Sequence, residues 1–213
     1  MAEKTKGAYA LVTIPALYVF LQDLLGGVSA RAALKREFFP DLAGLTVLEV
    51  GCGPGTWFEQ LKDAADYTGM DWNGEHIAEA NERYSDDNVR FLCGDITTDL
   101  AEDANRFDRA FAFGILHHLD GEGATRVLES IHGMLKPGGQ MISIDPVYHD
   151  NQHWFARWLK SRDSGQNIRT EAEYVALVKP RFRETTATTV TGKLRVPYSH
   201  CIVSATRRDE AKP

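Results

Sequence analysis

The chain has 213 residues, 43% of them apolar, which suffices for one domain with a full hydrophobic core and a small appendage. That apolar fraction is typical of globular proteins and excludes a largely disordered chain. The net charge of −6 argues against a nucleic-acid-binding protein, which would usually present a basic patch, so we expect no nucleic-acid partner.

Cysteine usage and hydropathy indicate the expected compartment. The three cysteines, Cys52, Cys93 and Cys201, are odd in number and lack the spacing of a metal site. We therefore expect no metal and a protein of the reducing cytoplasm. No apolar stretch is long enough to span a bilayer, so we expect no membrane partner. The oligomeric state is not visible in the sequence.

Residues 1–40 precede the first predicted strand and form a predicted N-terminal helical cap. Pro15 and the pair at 26–27 bracket one helix that is apolar on nearly all sides, which favours burial. Tyr18 and Gln22 are spaced i, i+4 on this helix and share a face. Ser29 is predicted to cap a second helix that runs to about residue 38.

The stretch 47–55 has the pattern of a buried strand that enters a glycine-rich turn and then a helix. A side chain at Gly51 or Gly53 would stand where a ligand must approach the backbone. Glu49 lies in a strand expected to be buried on both faces, so its carboxyl group needs a partner. A glycine-rich turn alone is a weak signal because nicotinamide-binding folds share it.

The spacing of this turn carries a family resemblance. The glycines fall as G-x-G-x-G, and the residue two positions before the first glycine is Glu49. The stretch resembles motif I of the class I S-adenosylmethionine (SAM)-dependent methyltransferases. This resemblance implies that SAM is the cofactor and that the apolar N-terminal helix is either a structural flap or a lid over the SAM pocket. As part of a lid, Tyr18 and Gln22 would meet the methionine end of SAM.

The second predicted strand, 67–71, ends in an acidic residue. Asp71 lies 20 residues beyond Gly51, where a doubly wound fold places the carboxylate that accepts from ribose hydroxyls. A carboxylate suits a diol because both of its oxygens accept hydrogen bonds. Asp71 could instead cap the next helix, since Asn73 and Gly74 follow it. Trp72 is placed either to cover the adenosine or simply to pack.

The third predicted strand, 89–93, is followed by Asp95 and Ile96. By the resemblance, Asp95 would accept a hydrogen bond from the adenine amino group and Ile96 would pack on the adenine ring. A plain turn residue is the alternative for Asp95.

The fourth predicted strand, 107–113, leads into a Leu-His-His-Leu sequence at 116–119. This arrangement resembles motif IV of the superfamily, and it places the backbone of Phe113 and Gly114 beside the methionine part of SAM. His117 would then orient a loop or act as a base, since a histidine can do either.

A helix is predicted over 123–135, followed by the Lys-Pro-Gly-Gly turn at 136–139 and a fifth strand over 140–145. Residues 146–180 form a predicted insertion rich in aromatic and polar side chains, the region in which acceptor specificity of the superfamily commonly lies. Within it, Thr170 and Glu173 make a capping box that starts a helix containing Tyr174.

Two alternating segments, 185–191 and 197–206, are predicted to pair as a β-hairpin. They resemble the sixth and seventh strands of the family. The expected fold is therefore α/β, with a class I methyltransferase Rossmann-like sheet of seven mostly parallel strands and an antiparallel last strand. The expected division is a helical cap over 1–40 and a SAM-binding domain over 41–213.

The resemblance implies a SAM-dependent enzyme that transfers a methyl group to an oxygen or nitrogen of a small molecule. Cyclisation of SAM to azetidine-2-carboxylate and methylthioadenosine is the alternative, because small capped members of the superfamily include such synthases. A non-catalytic SAM-binding protein is a third possibility. An Asp/Asn-Pro-Pro-aromatic signature is missing at 113–116, which disfavours nucleobase amino-methylation.

The predicted site has two groups of residues. The cofactor-binding candidates are Gln22, Glu49, Gly51, Gly53, Asp71, Trp72, Asp95, Ile96 and Phe113. The catalytic candidates are Tyr18, His117 and Tyr174.

Overall fold

A β-sheet forms the centre of the computed structural model, which describes residues 26–208 apart from positions 85, 101–102, 151 and 162–164. Its strands are β1 (Thr46–Val50), β2 (Asp66–Asp71), β3 (Val89–Cys93), β4 (Phe107–Phe113), β5 (Leu135–Tyr148), β6 (Arg169–Thr170), β7 (Phe182–Val190) and β8 (His200–Arg207). They pair in the order β3-β2-β1-β4-β5-β8-β7, with the two-residue β6 beside β5.

The directions of the strands match the predicted class. Strands β1 to β5 are mutually parallel, and β8 is antiparallel to both β5 and β7. The predicted sheet with an antiparallel last strand is therefore confirmed. The short β6, which pairs with residues 147 and 148, was not predicted.

Strand β5 is longer than predicted at both ends. Phe107 of β4 pairs with Leu135, and Arg109 pairs with Gln140, so residues 136–139 interrupt the pairing as a bulge. The predicted turn at 136–139 is thus an irregularity inside a strand. Gly138 has a φ of +74°, which explains a glycine at that point.

Helices pack on both faces of the sheet. In the described ranges they are α1 (Gly27–Phe38), α2 (Phe58–Leu61), α3 (Gly74–Tyr84), α4 (Gly121–Met134), α5 (Trp154–Lys160) and α6 (Glu171–Val178), and a 3₁₀ turn lies at Leu116–His118. Helix α6 begins with the predicted capping box of Thr170 and Glu173, which is confirmed.

Two predicted helix starts lie too late in the chain, by three residues for α1 and by two for α4. Helix α1 begins at Gly27 after Gly26, whose φ is +90°, and Ser29 lies inside the first turn with its hydroxyl donating to the Gly26 carbonyl. Helix α4 begins at Gly121 because Asp120 caps it and accepts from the backbone N–H of Gly123 at 2.7 Å. In each case a nearer polar or flexible residue takes the cap position.

The core lies in two layers because successive strand residues point to opposite faces. Leu48 of β1 packs with Leu128 of α4 in one layer. Val47 packs with Leu34 of α1 and Leu61 of α2 in the other. The carboxyl ends of β1 to β5 therefore meet at one edge, between the layers, where open α/β sheets bind ligands.

None of the helices in the described ranges is long and apolar enough to cross a membrane.

Candidate functional site

The turn after β1 is shaped by three glycines in the left-handed region, with φ of +70° at Gly51, +53° at Gly53 and +77° at Gly55. A Cβ on Gly51 would lie 1.9 Å from Cδ1 of Ile115, so the absence of a side chain lets the segment after β4 pack against this turn. At Gly53 the nearest atom would be 3.9 Å away, in the ring of His76. Only the backbone conformation requires glycine there, and close approach of a ligand stays a prediction.

Asp71 fastens the glycine turn to the end of β2. One carboxyl oxygen accepts from the backbone N–H of Gly53 at 2.9 Å, and the other accepts from that of Asn73 at 2.9 Å. The alternative role of helix cap belongs to Asn73, whose side chain accepts from the N–H of Glu75 at 2.9 Å. Each oxygen of Asp71 keeps a second lone pair, which is what a ribose diol needs.

Trp72, directly after Asp71, is 67% exposed. So large an apolar surface beside the end of β2 is open to a flat ligand, and the predicted contact with adenosine stays a prediction.

Glu49 is the second-to-last residue of β1 and is fully buried. The hydroxyl of Tyr67 on β2 donates to its Oε2 at 2.6 Å, and its Oε1 has no hydrogen-bond partner among the described residues. Burial, above all, raises the pKa of Glu49 to about 8; Asp71 raises it further, whereas Tyr67 and Arg31 lower it.

The sequence predicts that the Glu49 carboxyl has a partner, but it does not identify Tyr67 as that partner. The register of β1 on β2 sets Glu49 opposite Gly69, two residues after Tyr67. A Cβ on Gly69 would lie 2.8 Å from the Tyr67 hydroxyl, so this glycine leaves room for the tyrosine to reach the carboxyl. The Glu49–Tyr67 pair depends on the register of β1 on β2, which the sequence alone does not give.

Asp95 and Ile96 lie directly after β3. Asp95 is exposed, and its Oδ1 accepts from the backbone N–H of Thr97 at 2.8 Å and from the Thr97 hydroxyl at 2.7 Å. Ile96 is buried in the core layer of Leu100 and α4. Asp95 thus makes the turn that its alternative role requires, and the predicted adenine contacts of both residues stay predictions.

Phe113, at the end of β4, belongs to an aromatic stack. Its ring centroid lies 4.1 Å from that of Trp57, after the glycine turn, and 5.6 Å from that of Phe39, after α1. The side chain of Phe113 therefore faces these rings, and the backbone of Gly114 continues the strand by donating to the Ile144 carbonyl at 2.8 Å. The contribution of Phe39 was not foreseen.

His117 and Asp145 form a buried pair between the 3₁₀ turn after β4 and the end of β5. The Oδ1 of Asp145 lies 3.0 Å from Nδ1 of His117 and accepts from the His117 backbone N–H at 3.2 Å. Both side chains are buried, at 5% and 0% exposure respectively. A carboxylate bound in this way holds Nδ1 protonated and leaves Nε2 as the basic nitrogen.

Residues 165–169 of the predicted insertion pack against the turn that carries His117 and form hydrogen bonds with it. Arg169 donates to the carbonyls of Leu116 at 2.6 Å and Leu119 at 2.9 Å, and the backbone N–H of Asn167 donates to the His117 carbonyl at 2.9 Å. A Cβ on Gly165 would lie 1.9 Å from Cδ2 of His117, so the chain passes directly against this ring. Asp145, Gly165 and Arg169 were not predicted site residues.

Tyr174 lies in α6, the helix that follows β6. It is fully buried, and its hydroxyl donates to the Pro146 carbonyl at 2.9 Å. Burial is the main cause that raises the pKa of its hydroxyl. These contacts give Tyr174 a structural role at the end of β5, and they lend no support to its predicted catalytic role. Tyr18 and Gln22 lie outside the described residues.

The described residues hold no group of three or more His, Cys, Asp or Glu side chains suited to a metal ion. All three cysteines are free, and Cys52 and Cys201 are buried.

Comparison with known proteins supports the same family. Residues 47–139 match the model of a methyltransferase domain. Over 117 residues, 53% of this chain, the sequence is 31% identical to phosphoethanolamine N-methyltransferase 1 of Triticum aestivum, covering 23% of that protein. Over 105 residues, 48% of this chain, it is 35% identical to the ubiquinone biosynthesis O-methyltransferase of Pseudomonas syringae pv. tomato, covering 44% of that protein. The chain thus spans less than half the length of these curated relatives.

A solved structure shows the same fold. Phosphoethanolamine N-methyltransferase 2 of Haemonchus contortus, in complex with phosphomonomethylethanolamine and S-adenosylhomocysteine, superposes with a TM-score of 0.73 at 15% identity. The match covers 94% of this chain and 59% of that one. These relatives carry methyltransferase names, and they give no support to the alternative of SAM cyclisation.

Proposed function

Because this chain belongs to the class I SAM-dependent methyltransferases, we propose that it transfers the methyl group of SAM to an oxygen or nitrogen atom of a small molecule. The observation that carries the choice of acceptor atom is the buried pair of His117 and Asp145 at the carboxyl ends of β4 and β5. The names of the relatives, a phosphoethanolamine N-methyltransferase and a ubiquinone biosynthesis O-methyltransferase, support a small acceptor with a reacting nitrogen or oxygen.

The donor fits the groups at the ends of β1 and β2. SAM carries two positive groups, a sulfonium and an α-ammonium, and only the ammonium donates hydrogen bonds. The Oε1 of Glu49, which has no hydrogen-bond partner among the described residues, is a buried acceptor that such a cation would satisfy. Asp71 has acceptor capacity for the ribose hydroxyls, and the bare turn at Gly53 leaves its backbone open to a ligand.

When bound, SAM supplies an electrophilic methyl carbon on a good leaving group, so the protein has to hold the acceptor in line with that carbon. The chain's own groups must then take up a proton, since an O–H or N–H acceptor loses one on methylation. In this proposal, Nε2 of His117 takes it while Asp145 accepts the hydrogen bond from Nδ1 and stabilises the imidazolium that forms.

The proposal is tested by incubating the protein with SAM and panels of primary amines, phenols and aliphatic alcohols, and by following S-adenosylhomocysteine. Methyl transfer should appear with at least one panel, and His117→Ala should lower kcat by about 10²–10⁴-fold, the usual contribution of a general base. His118→Ala is the matched control, because His118 is the exposed neighbour of His117.

Two results would contradict the proposal. Full activity of the folded His117→Ala variant would remove the base. Growth of methylthioadenosine with SAM alone, and no S-adenosylhomocysteine with any acceptor, would replace methyl transfer by cleavage of SAM itself.

A further inference from the structure

The proposed function assigns no role to Tyr67. It is almost completely buried, and its hydroxyl makes a 2.6 Å hydrogen bond to Oε2 of Glu49 across the β1–β2 pair. Gly69 is bare at the point where a Cβ would meet that hydroxyl. The neutral phenol donates to one carboxyl oxygen of Glu49, and the other oxygen has no hydrogen-bond partner within the described part of the chain. Only one of the two carboxyl oxygens is therefore satisfied there.

We propose that binding of SAM or S-adenosylhomocysteine releases one proton from the Glu49 carboxyl. In this proposal Tyr67 is a positioning residue, whose hydrogen bond sets the pH at which Glu49 loses that proton. The inference rests on the proposed contact between Glu49 and the α-ammonium of the ligand. It adds that the free protein holds Glu49 protonated and that the ligand's cation displaces this proton.

The surroundings of Glu49 favour a neutral carboxyl in the absence of a ligand. The side chain is buried in the sheet, and burial disfavours its charged form. Asp71, from β2, adds a repulsive negative charge, and the buried thiol of Cys52 lies in the turn on the same side. Arg31, from α1, attracts the charged form but contributes less than burial, Tyr67 and Asp71.

The ligand reverses this balance. Its ammonium brings a full positive charge and hydrogen-bond donors to a low-dielectric position, where an ion pair with good geometry favours two charged partners. Tyr67 already donates to Oε2, so Oε1 remains for the ammonium. In this arrangement both oxygens of the charged carboxylate are satisfied only in the complex.

The first test counts protons in the unmodified protein. S-adenosylhomocysteine is the probe, because it carries the same ammonium and cannot transfer a methyl group. Calorimetric titrations at pH 7 are run in phosphate and in imidazole buffers. The difference in binding heat between the two buffers gives the number of protons that the complex releases. We expect close to one proton per ligand, and an association constant that rises up to about tenfold per pH unit between pH 6 and 7.5.

The second test compares variants. Glu49→Gln should bind S-adenosylhomocysteine more weakly and release no proton at pH 7, because an amide cannot ionise. Tyr67→Phe removes a hydrogen bond to the charged form and should move the rise in affinity to higher pH. Relative to the unmodified protein, it should bind about three- to tenfold more weakly at pH 6–7 and approach equal affinity near pH 9.5.

This pH-dependent ratio separates positioning from packing. The ligand's own amine titrates equally in both titrations, so it cancels in the ratio. Tyr84→Phe is the matched control, because Tyr84 and Tyr67 both pack their rings against Phe58, and Tyr84 makes no hydrogen bond to Glu49. Its pH profile should follow that of the unmodified protein.

The outcomes distinguish this inference from the proposed function. No binding of S-adenosylhomocysteine at any pH would overturn the proposed function. Binding without proton release, or a Tyr67→Phe effect that stays constant up to pH 9.5, would overturn the role of Tyr67 and Glu49 alone. Circular dichroism of each variant establishes that it is folded, and the proton count of the unmodified protein stands even where a variant is not.

Discussion

The carboxyl group of Asp71 accepts a hydrogen bond from the backbone N–H of Gly53, 2.9 Å away, and this bond ties the turn after β1 to the end of β2. The second oxygen of Asp71 receives the N–H of Asn73, where α3 is about to begin. One side chain therefore sets the positions of two segments at the proposed SAM site, and each of its oxygens keeps a further lone pair.

Asp71→Ala should weaken SAM binding by about 1.5–3 kcal/mol, the range for losing hydrogen bonds to a charged group. Asp71→Asn is the matched variant, because its amide keeps one accepting oxygen and loses the charge, so its affinity should fall between the two. Calorimetry with S-adenosylhomocysteine measures both. An unchanged affinity in folded Asp71→Ala would remove this residue from the site.

The sequence predicted the features that depend on neighbouring residues. The capping box of Thr170 and Glu173 is confirmed because both partners lie in one helical turn. The pairs Glu49–Tyr67 and His117–Asp145 lie 18 and 28 residues apart and depend on strand register and on the packing of the segment after β4. A carboxyl inside an apolar strand signals that a partner exists, but not which residue it is.

Glycines illustrate the same limit. Gly51 was assigned from its motif to ligand approach, whereas the structure places the side chain of Ile115 against it. Gly165 follows Ser164 in a dipeptide typical of turns. Nothing in the sequence indicates that it packs against the ring of His117. Such contacts arise from the meeting of distant segments, which local patterns do not encode.

Gly51→Ala should lower the free energy of unfolding by about 2–4 kcal/mol. Its φ of +70° disfavours any side chain, and the new Cβ would lie 1.9 Å from Ile115. In the double variant with Ile115→Ala, the collision is removed, so the combined loss should be smaller than the sum by about 0.5–3 kcal/mol. Gly53→Ala, whose Cβ meets nothing within 3.9 Å, should lose only the conformational part, about 1–2 kcal/mol. Urea denaturation measures the unmodified protein, Gly51→Ala, Ile115→Ala, their double variant and Gly53→Ala, and strict additivity would contradict the predicted contact.

Gly165→Ala should impair methyl transfer rather than donor binding. The added methyl group would lie 1.9 Å from Cδ2 and 2.7 Å from Nε2 of His117, so the ring or the segment at 165–167 must shift. A displacement of this size should lower kcat by about 10- to 100-fold. The dissociation constant of S-adenosylhomocysteine should change less than about twofold, since the hydrogen bonds of Asp71 and Glu49 are made elsewhere.

Gly133→Ala serves as the control for Gly165→Ala. Gly133 lies in α4, and its added Cβ would meet no atom of the described residues within 4 Å. That variant should keep its activity and gain slight stability, because alanine favours a helix. Equal kcat values for the two glycine variants would show that the position of His117 does not limit the reaction.

The buried carboxyl of Glu49 should make stability depend on pH in a defined window. Its pKa is raised from 4.5 to about 8 on folding, so between these values the folded chain holds a proton that the unfolded chain has lost. The free energy of unfolding should therefore fall as the pH rises through this window, by an amount on the order of 4 kcal/mol, and level off above pH 8.

Glu49→Gln removes the ionisation and keeps an acceptor for the Tyr67 hydroxyl, so its stability should lack this decline. The difference between the two proteins, from urea denaturation at pH 5, 6, 7 and 8, cancels the contribution of every other titrating group. The variant should equal the unmodified protein near pH 5 and exceed it increasingly toward pH 8. Parallel curves across this range would mean that Glu49 stays ionised in the folded chain.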